Sequence, residues 1–217
     1  MHTRSLPTCA SICSGRICLF LAVSAQPVIY DPPLSARLAS STHYEHGCDP
    51  VPPGCDLAIY CYCQDGRLNT QCETGWCAGQ ADTINTNPQA DANSGPWYQL
   101  SLDKVGTIAG VVIADRMQFE QYVTQVKIAH SQDGVTWSGV DGYASFFIGQ
   151  DATQRSAGES VLFQTAVVSR YIRLYVQSYN SFPAMRVALL VDSQTQDGAV
   201  IEMSGNDPKL IFGTLEN

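Results

Sequence analysis

The sequence predicts an all-β sandwich or barrel, and three observations support this fold class. From Trp97 onward, apolar and polar residues alternate with a period of two in short runs. Turn residues such as Asp133 and Gly134 separate these runs. No segment keeps the 3.6-residue period of a helix beyond one turn. Short alternating strands joined by turns are typical of sandwiches and barrels.

The predicted strands follow one another from the middle of the chain toward its end. They cover residues 98–102, 108–114, 122–129, 161–163, 171–176 and 185–191. The earlier segment 28–66 is rich in Pro, Gly and Cys, so we expect it to be dominated by loops. The tail after residue 193 has two short apolar runs, at 199–201 and 210–212. These runs either add a hairpin at the edge of the sheet or extend from the domain without packing on it.

Length and charge limit the possible functions. The chain has 217 residues, which is enough for one domain of ordinary size with a buried core. It has 20 acidic and 12 basic side chains, which gives a formal net charge of −8. Nucleic-acid binding needs clustered Lys and Arg, and the sequence has no such cluster. We therefore exclude an electrostatically driven nucleic-acid binder.

The first 25 residues have the features of a secretory signal peptide. Arg4 and Arg16 supply positive charge, residues 17–23 form a short apolar run, and Ala25 ends a small-residue cleavage site. The apolar run is much shorter than the roughly 20 residues that a membrane span needs. We expect a leader over residues 1–25 and a secreted, extracellular or cell-surface product. An ordinary buried N-terminal segment is the alternative.

Six of the nine cysteines fall in one window, and an oxidising compartment would favour disulfides there. They are Cys48, Cys55, Cys61, Cys63, Cys72 and Cys77. Six cysteines allow about fifteen pairings, and the sequence does not choose among them. Cys61 and Cys63 point to the same side of an extended strand, so each is expected to bond elsewhere. A zinc site built from the last four cysteines is the alternative, although its spacing departs from the usual paired motifs.

Several short motifs occur in a fixed order along the chain. They are Leu38-Ala39-Ser40-Ser41, Gly66-Arg67-Leu68-Asn69, Thr74-Gly75-Trp76-Cys77, Trp97-Tyr98-Gln99-Leu100, Ile108-Ala109-Gly110-Val111, Tyr122-Val123-Thr124, Ser131-Gln132-Asp133-Gly134, Phe147-Ile148-Gly149-Gln150-Asp151, Ser169-Arg170-Tyr171-Ile172-Arg173 and Met185-Arg186-Val187-Ala188-Leu189. In this order they resemble the motifs of the coagulation factor V/VIII type C domain, also called the discoidin domain. The resemblance covers about residues 35–192.

The resemblance divides the chain into four parts. They are the leader 1–25, an N-terminal extension 26–34, a discoidin domain 35–192 with a Cys-rich insertion at 43–77, and a C-terminal tail 193–217. The insertion is longer than usual in this family. The cysteines that often join the family's two termini are missing at the C-terminal end.

The resemblance implies a jelly-roll sandwich of about eight antiparallel strands, with ligands bound by loops at one end. Those loops correspond here to residues 43–63, 116–121 and 147–156. The candidate ligand-binding residues are Tyr44, His46, Tyr60, Arg116, Phe119, Glu120, Gln150 and Asp151. Planar rings suit stacking on sugar faces, and a guanidinium suits a carboxylate, sulfate or phosphate. As alternatives, the tyrosines pack over disulfides, and Arg116 pairs internally with Asp115 or Glu120.

The sequence therefore predicts a secreted, non-enzymatic module that binds a glycan or an extracellular protein, in adhesion or matrix assembly. The alternative is a structural subunit that assembles as a homo-oligomer without a small ligand. Anionic phospholipid binding is less favoured because the chain lacks basic rims, so contact with a membrane surface is expected only indirectly. No catalytic motif is found, so no enzyme is expected. No cofactor is expected, and a structural calcium at Asp82 and Thr83 is a further alternative.

Overall fold

The computed structural model describes most of the predicted domain. The described residues are 11–14, 17–20, 26–41, 66–68, 75–79, 83–116, 120–149, 151–193, 203–204 and 207–208. Several predicted residues lie outside them, namely Tyr44, His46, Cys48, Cys55, Tyr60, Cys61, Cys63, Cys72, Asp82, Phe119 and Gln150. The predicted disulfides, and the contribution of most of the Cys-rich insertion to a site, therefore stay predictions.

The described chain is built almost entirely from β-strands. They are β1 (Ser11–Ser14), β2 (Ile17–Phe20), β3 (Val28–Tyr30), β4 (Arg37–Ala39), β5 (Trp76–Cys77), β6 (Trp97–Ala114), β7 (Tyr122–Ser131), β8 (Ser138–Gly139), β9 (Ser145–Phe147), β10 (Glu159–Asn180), β11 (Ala184–Val191), β12 (Met203–Ser204) and β13 (Asp207–Pro208). One short helix, α1 (Ala152–Ala157), precedes β10. Two single turns of 3-10 helix occur at Leu34–Ala36 and Val140–Gly142.

Nine of these strands form one continuous antiparallel sheet, in the order β3-β11-β6-β10-β7-β8 with β4, β5 and β9 paired at its sides. The strands β6 and β10 are long enough to take part in both layers of a sandwich. Their mutual register shifts between Leu162 and Val167, and again between Ser169 and Tyr171. Such bulges bend a sheet, so the two halves of each long strand face each other.

The core shows that the sheet folds back on itself. Leu100 and Leu102, from the first half of β6, belong to the same buried cluster as Val111 and Ile113 from its second half. Side chains from both halves can share one cluster only if the halves pack face to face. When the halves of β6 and β10 are counted separately, the nine-stranded sheet has eleven strand segments. The predicted all-β jelly-roll sandwich is confirmed.

The structure differs from the expected strand list at the joins. The predicted strands 98–102 and 108–114 are one strand, β6, and 161–163 and 171–176 are one strand, β10. Part of each linker stays in the ladder, where Gly106 and Thr107 pair with Ser169 and Val168, so the alternation is interrupted while the strand continues. The helix α1 was not predicted because its six residues are too short for a helical period.

Two small separate sheets lie near the two ends of the described chain. Strands β1 and β2 pair with each other, with Cys13 opposite Cys18, and strands β12 and β13 form a second pair. Within the described residues, no helix is long and apolar enough to span a membrane. The signal peptide over residues 1–25 stays a prediction.

Candidate functional site

Three loops leave the sandwich at one end. Arg186 of β11 lies opposite Ala114 of β6, and the neighbouring Ile113 lies opposite Glu159 of β10. The end of β6 and the starts of β10 and β11 therefore lie side by side. We call this end the loop end, because the described residues 115–116, 120–121, 148–149, 151–158 and 181–183 lie there.

A single buried guanidinium joins the bases of the first two of these loops to the segment 66–68. Arg186 donates hydrogen bonds to the backbone carbonyl oxygens of Leu68 (2.7 Å), Asp115 (2.8 Å) and Ser156 (2.8 Å). These carbonyls belong to the segment 66–68, to the loop after β6 and to α1. The planar, multiply donating guanidinium suits this role because its donors point in fixed directions. Arg186 thereby fixes three chain segments relative to one another.

The same guanidinium forms a largely buried ion pair. Its Nη2 lies 3.5 Å from Oδ1 of Asp115. Burial raises the pKa of Asp115, although the attraction of Arg186 opposes that rise. Burial also lowers the pKa of Arg186, and Asp115 opposes that change in turn. In both residues loss of hydration outweighs the attraction, so the pair itself adds little stability and the carbonyl contacts matter more.

The helix α1 is fixed at both ends by local chemistry. Asp151, which precedes its first residue, accepts a hydrogen bond from the Gln154 amide at 2.9 Å. Short acidic side chains are favoured at this position because they satisfy a free amide. Gly158 ends the helix with φ of 100°, a backbone angle that other residues rarely adopt. Asp151 is exposed and was predicted to bind ligand; the structure assigns it this capping contact.

A second buried arginine connects α1 to the loop after β6. The guanidinium of Arg155 lies over the ring of Tyr122, with its carbon 3.9 Å from the ring centre. Its Nη2 lies 3.8 Å from Oε2 of Glu120, and its backbone carbonyl accepts from the Asp115 amide at 3.1 Å. The side-chain amide of Asn180 donates to the Glu120 backbone carbonyl at 2.7 Å. Glu120 is therefore held by its backbone, while its side chain is 84% exposed.

Arg116 was predicted to offer a guanidinium to a ligand, and it lies within the base of the loop end. It is 3% exposed, and its Nη1 donates to Oε1 of Gln121 at 2.7 Å. Its backbone amide donates to the Gln121 carbonyl at 3.2 Å, which closes the loop between them. The two carboxylates considered as its partners, Asp115 and Glu120, form ion pairs with Arg186 and Arg155.

The described ends of the Cys-rich insertion are attached firmly to the sandwich. Arg37 donates to the carbonyls of Gly66 (2.9 Å) and Val187 (2.8 Å). The indole of Trp76 donates to the carbonyl of Ser41 at 2.9 Å. Gly66 lies against the Tyr98 ring, where an added Cβ would come within 2.7 Å. The insertion therefore starts and returns beside the same core residues.

Cys77 and Thr83 are the described members of two other predicted sets. Cys77 is fully buried, with its sulfur 3.7 Å from the Gly75 carbonyl oxygen. Thr83 is exposed. Within the part of the chain that the structure describes, no three His, Cys, Asp or Glu residues are placed to hold a metal ion.

Sequence reasoning missed the residues that tie the loop end together. Arg186 stands within a recognised motif, but nothing in its spacing shows that it reaches three carbonyls. Arg155 stands in a predicted loop with no motif of its own. A signal was available in the sequence of β11, where the charged Arg186 interrupts a run of apolar residues. The structure shows that every residue of this strand is buried. A charged residue in such a strand needs partners, which points to a tertiary role.

The antiparallel sandwich, with loop bases held together by hydrogen bonds at one end, is a jelly-roll domain. A family model described as the F5/8 type C domain matches residues 62–189, which is more than half of the chain. The chain therefore belongs to the F5/8 type C, or discoidin, domain family, and the resemblance inferred from its motifs is confirmed.

Curated relatives and a solved structure agree with this assignment. Lactadherin of Mus musculus is 28% identical over 104 residues, which are 46% of this chain and 22% of lactadherin. EGF-like repeat and discoidin I-like domain-containing protein 3 of Homo sapiens is 28% identical over 49% of this chain and 23% of its own length. The chain thus spans about a quarter of these relatives. Wild-type discoidin II from Dictyostelium discoideum has a TM-score of 0.50 and 16% identity, covering 75% of this chain and 58% of its own, which supports the fold alone.

Proposed function

We propose that this protein is a secreted, non-enzymatic binding module that recognises a glycan or an extracellular protein through its loop end. Its role is in adhesion or matrix assembly. The observation that carries the proposal is that Arg186 fixes three chain segments relative to one another at the loop end of a discoidin-family sandwich. Loops that are already ordered lose less conformational entropy when a ligand binds, so more of the contact energy appears as affinity.

The charges at the loop end favour a neutral or cationic ligand surface. The arginines Arg116, Arg155 and Arg186 are all buried, whereas Glu120 and Asp151 are exposed. The charged side chains that are fully exposed among the described residues of the loop end are therefore acidic, in a chain with a formal net charge of −8. Carboxylates accept hydrogen bonds from sugar hydroxyls and attract basic protein surfaces. They repel anionic phospholipid headgroups, which makes lipid binding the weaker alternative.

Glu120 is the described residue best placed to contact such a ligand. Its backbone is held by Asn180 and its carboxylate lies beside Arg155, so the group is both positioned and exposed. The other predicted contact residues complete the proposal, with the aromatic rings supplying stacking faces. They are Tyr44, His46, Tyr60, Phe119 and Gln150.

A glycan array and a panel of matrix proteins test the proposal on the full chain produced with its disulfides intact. We expect at least one neutral glycan or matrix protein to be retained, and Glu120→Gln to weaken that binding. Asp103→Asn is the matched control, because Asp103 is also an exposed carboxylate but lies in the middle of β6, at the opposite end of the sandwich. Equal loss in both variants, or no retained ligand at all, would contradict a site at the loop end. Large assemblies in native mass measurement would favour the structural-subunit alternative.

A further inference from the structure

The strand β3 lies at one edge of the nine-stranded sheet and begins close to the predicted leader. Its three residues, Val28–Tyr30, are all buried. They pair in antiparallel register with the last three residues of β11, 189–191. The hydrogen-bonded ladder on this edge of the sandwich therefore starts at Val28.

Two residues, Gln26 and Pro27, separate β3 from the predicted cleavage site after Ala25. Gln26 is exposed and lies outside the ladder, while Pro27 is half-buried. Pro27 has no backbone N–H, so its position just before an edge strand sacrifices no ladder hydrogen bond. Removal of the leader would make Gln26 the first residue. A free α-amine and a side-chain amide would then belong to one exposed residue.

An N-terminal glutamine carries a nucleophile and an electrophile at the spacing that closes a five-membered ring. Its α-amine nitrogen attacks the side-chain carbonyl carbon, Cδ, and a bond between the two forms. The bond between Cδ and Nε2 breaks, and Nε2 leaves as ammonia with a proton from the amine. The reaction consumes no oxidant, reductant or second substrate. Its product is pyroglutamate, a neutral lactam that lacks the charge of a free N-terminus.

We propose that the secreted chain carries a pyroglutamate at position 26. The proposal rests on leader cleavage after Ala25, and it is independent of ligand binding at the loop end. The exposure of Gln26 gives its side chain room to turn back onto the α-amine. Strand β3 starts two residues later, so ring closure displaces no buried residue.

A blocked N-terminus protects β3 from stepwise trimming. Aminopeptidases bind a free α-amine and remove residues one at a time from an exposed terminus. Loss of Val28–Tyr30 would expose the edge of β11, where Leu189 and Val191 are fully buried. The lactam removes the group that such enzymes recognise, and the edge strand stays complete.

Mass spectrometry of the full chain, secreted from eukaryotic cells, tests the proposal. We expect the N-terminal peptide to begin at residue 26 and to be lighter than its sequence by the mass of one ammonia molecule. A peptide that begins at Gln26 with its full mass would overturn the proposal while supporting the leader. A peptide that begins at any other residue would overturn both the pyroglutamate and the predicted cleavage site.

Gln26→Asn is the matched control, because its amide is one methylene shorter and cannot close a five-membered ring. We expect the N-terminal peptide of this variant to keep its full mass. An aminopeptidase that cleaves before proline should remove residue 26 from the variant and leave the wild-type chain intact. Because Gln26 is exposed, both proteins should have the same Tm. Removal of residue 26 from both proteins, or loss of ammonia in both, would contradict a ring formed by Gln26.

Discussion

Replacing Arg186 by methionine removes four polar contacts at the base of the loop end. Its guanidinium donates to the carbonyls of Leu68, Asp115 and Ser156 at 2.7–2.8 Å and lies 3.5 Å from the Asp115 carboxylate. Methionine is also long and unbranched, so it fills much of the same space and leaves a small cavity. The change therefore isolates the polar contacts from the packing contribution.

The expected cost follows from what Arg186→Met leaves behind. A hydrogen bond to a charged group contributes about 1.5–3 kcal/mol, and an unsatisfied buried acceptor costs about 1–3 kcal/mol. The ion pair with Asp115 adds little to this cost, because loss of hydration outweighs its attraction in both residues. Water reaches part of the Asp115 side chain, which is 13% exposed, so we expect a loss of about 4 kcal/mol in the free energy of unfolding. Arg186→Lys keeps the charge but cannot span three carbonyls, so it should recover only part of this loss.

Asp115→Asn is the matched control for the ion pair. It removes the carboxylate charge but keeps all three carbonyl contacts of Arg186, so we expect a change of about 1 kcal/mol or less. Urea unfolding measures both variants, and hydrogen exchange at residues 66–68 and 151–158 reports whether the loop bases loosen. Equal losses for the two variants would refute the reasoning, because the ion pair and not the carbonyl contacts would then dominate. A loss under about 1 kcal/mol for Arg186→Met would refute it as well.

Three further predictions concern other parts of the chain. Burial lowers the pKa of His130 below 6.5, so the unfolded chain binds protons more readily and stability falls as the pH drops below about 6.5. His130→Gln should flatten this fall in Tm measured between about pH 7.5 and 5, and an unchanged slope would exclude His130 as its source. Asp141 has φ of 48° and accepts from the Gln164 amide at 2.9 Å, so Asp141→Ala should cost about 1–3 kcal/mol in urea unfolding and Asp141→Asn much less. Equal losses in these two variants would contradict a role for the acceptor and the left-handed backbone. N-terminal sequencing of protein secreted from eukaryotic cells should read from Gln26, and a product that retains Met1 would contradict the leader.

The fold was predictable where burial imposes a local pattern. The alternation in β7 reflects a strand with one more deeply buried side, and such a pattern can be seen without knowing the partner strand. The continuity of β6 and β10 was not predictable in the same way. Their middle segments are mostly exposed and do not alternate, and the two strands continue because Gly106 and Thr107 pair with Ser169 and Val168 between two register shifts.

The candidate site was predictable only at the level of loops. Family motifs placed Arg116, Glu120 and Asp151 near one end, and the structure brings all three there. Their local roles differ, since Asp151 caps α1 and Arg116 closes its own loop. Arg155 and Arg186 were missed because their partners are a ring and backbone carbonyls, which leave no spacing signature in the sequence.

The placement of the arginines separates stability from recognition at the loop end. The guanidinium groups of Arg116, Arg155 and Arg186 are buried, so they organise backbone and other side chains and leave little surface for a ligand. Arg37 acts in the same way on the segment 66–68 of the Cys-rich insertion, through the carbonyl of Gly66. Loop tips attached to such a base can change sequence without loss of the fold, because no core residue depends on them. Changes in the buried arginines should therefore lower stability and binding together, whereas changes in exposed side chains such as Glu120 should alter binding alone.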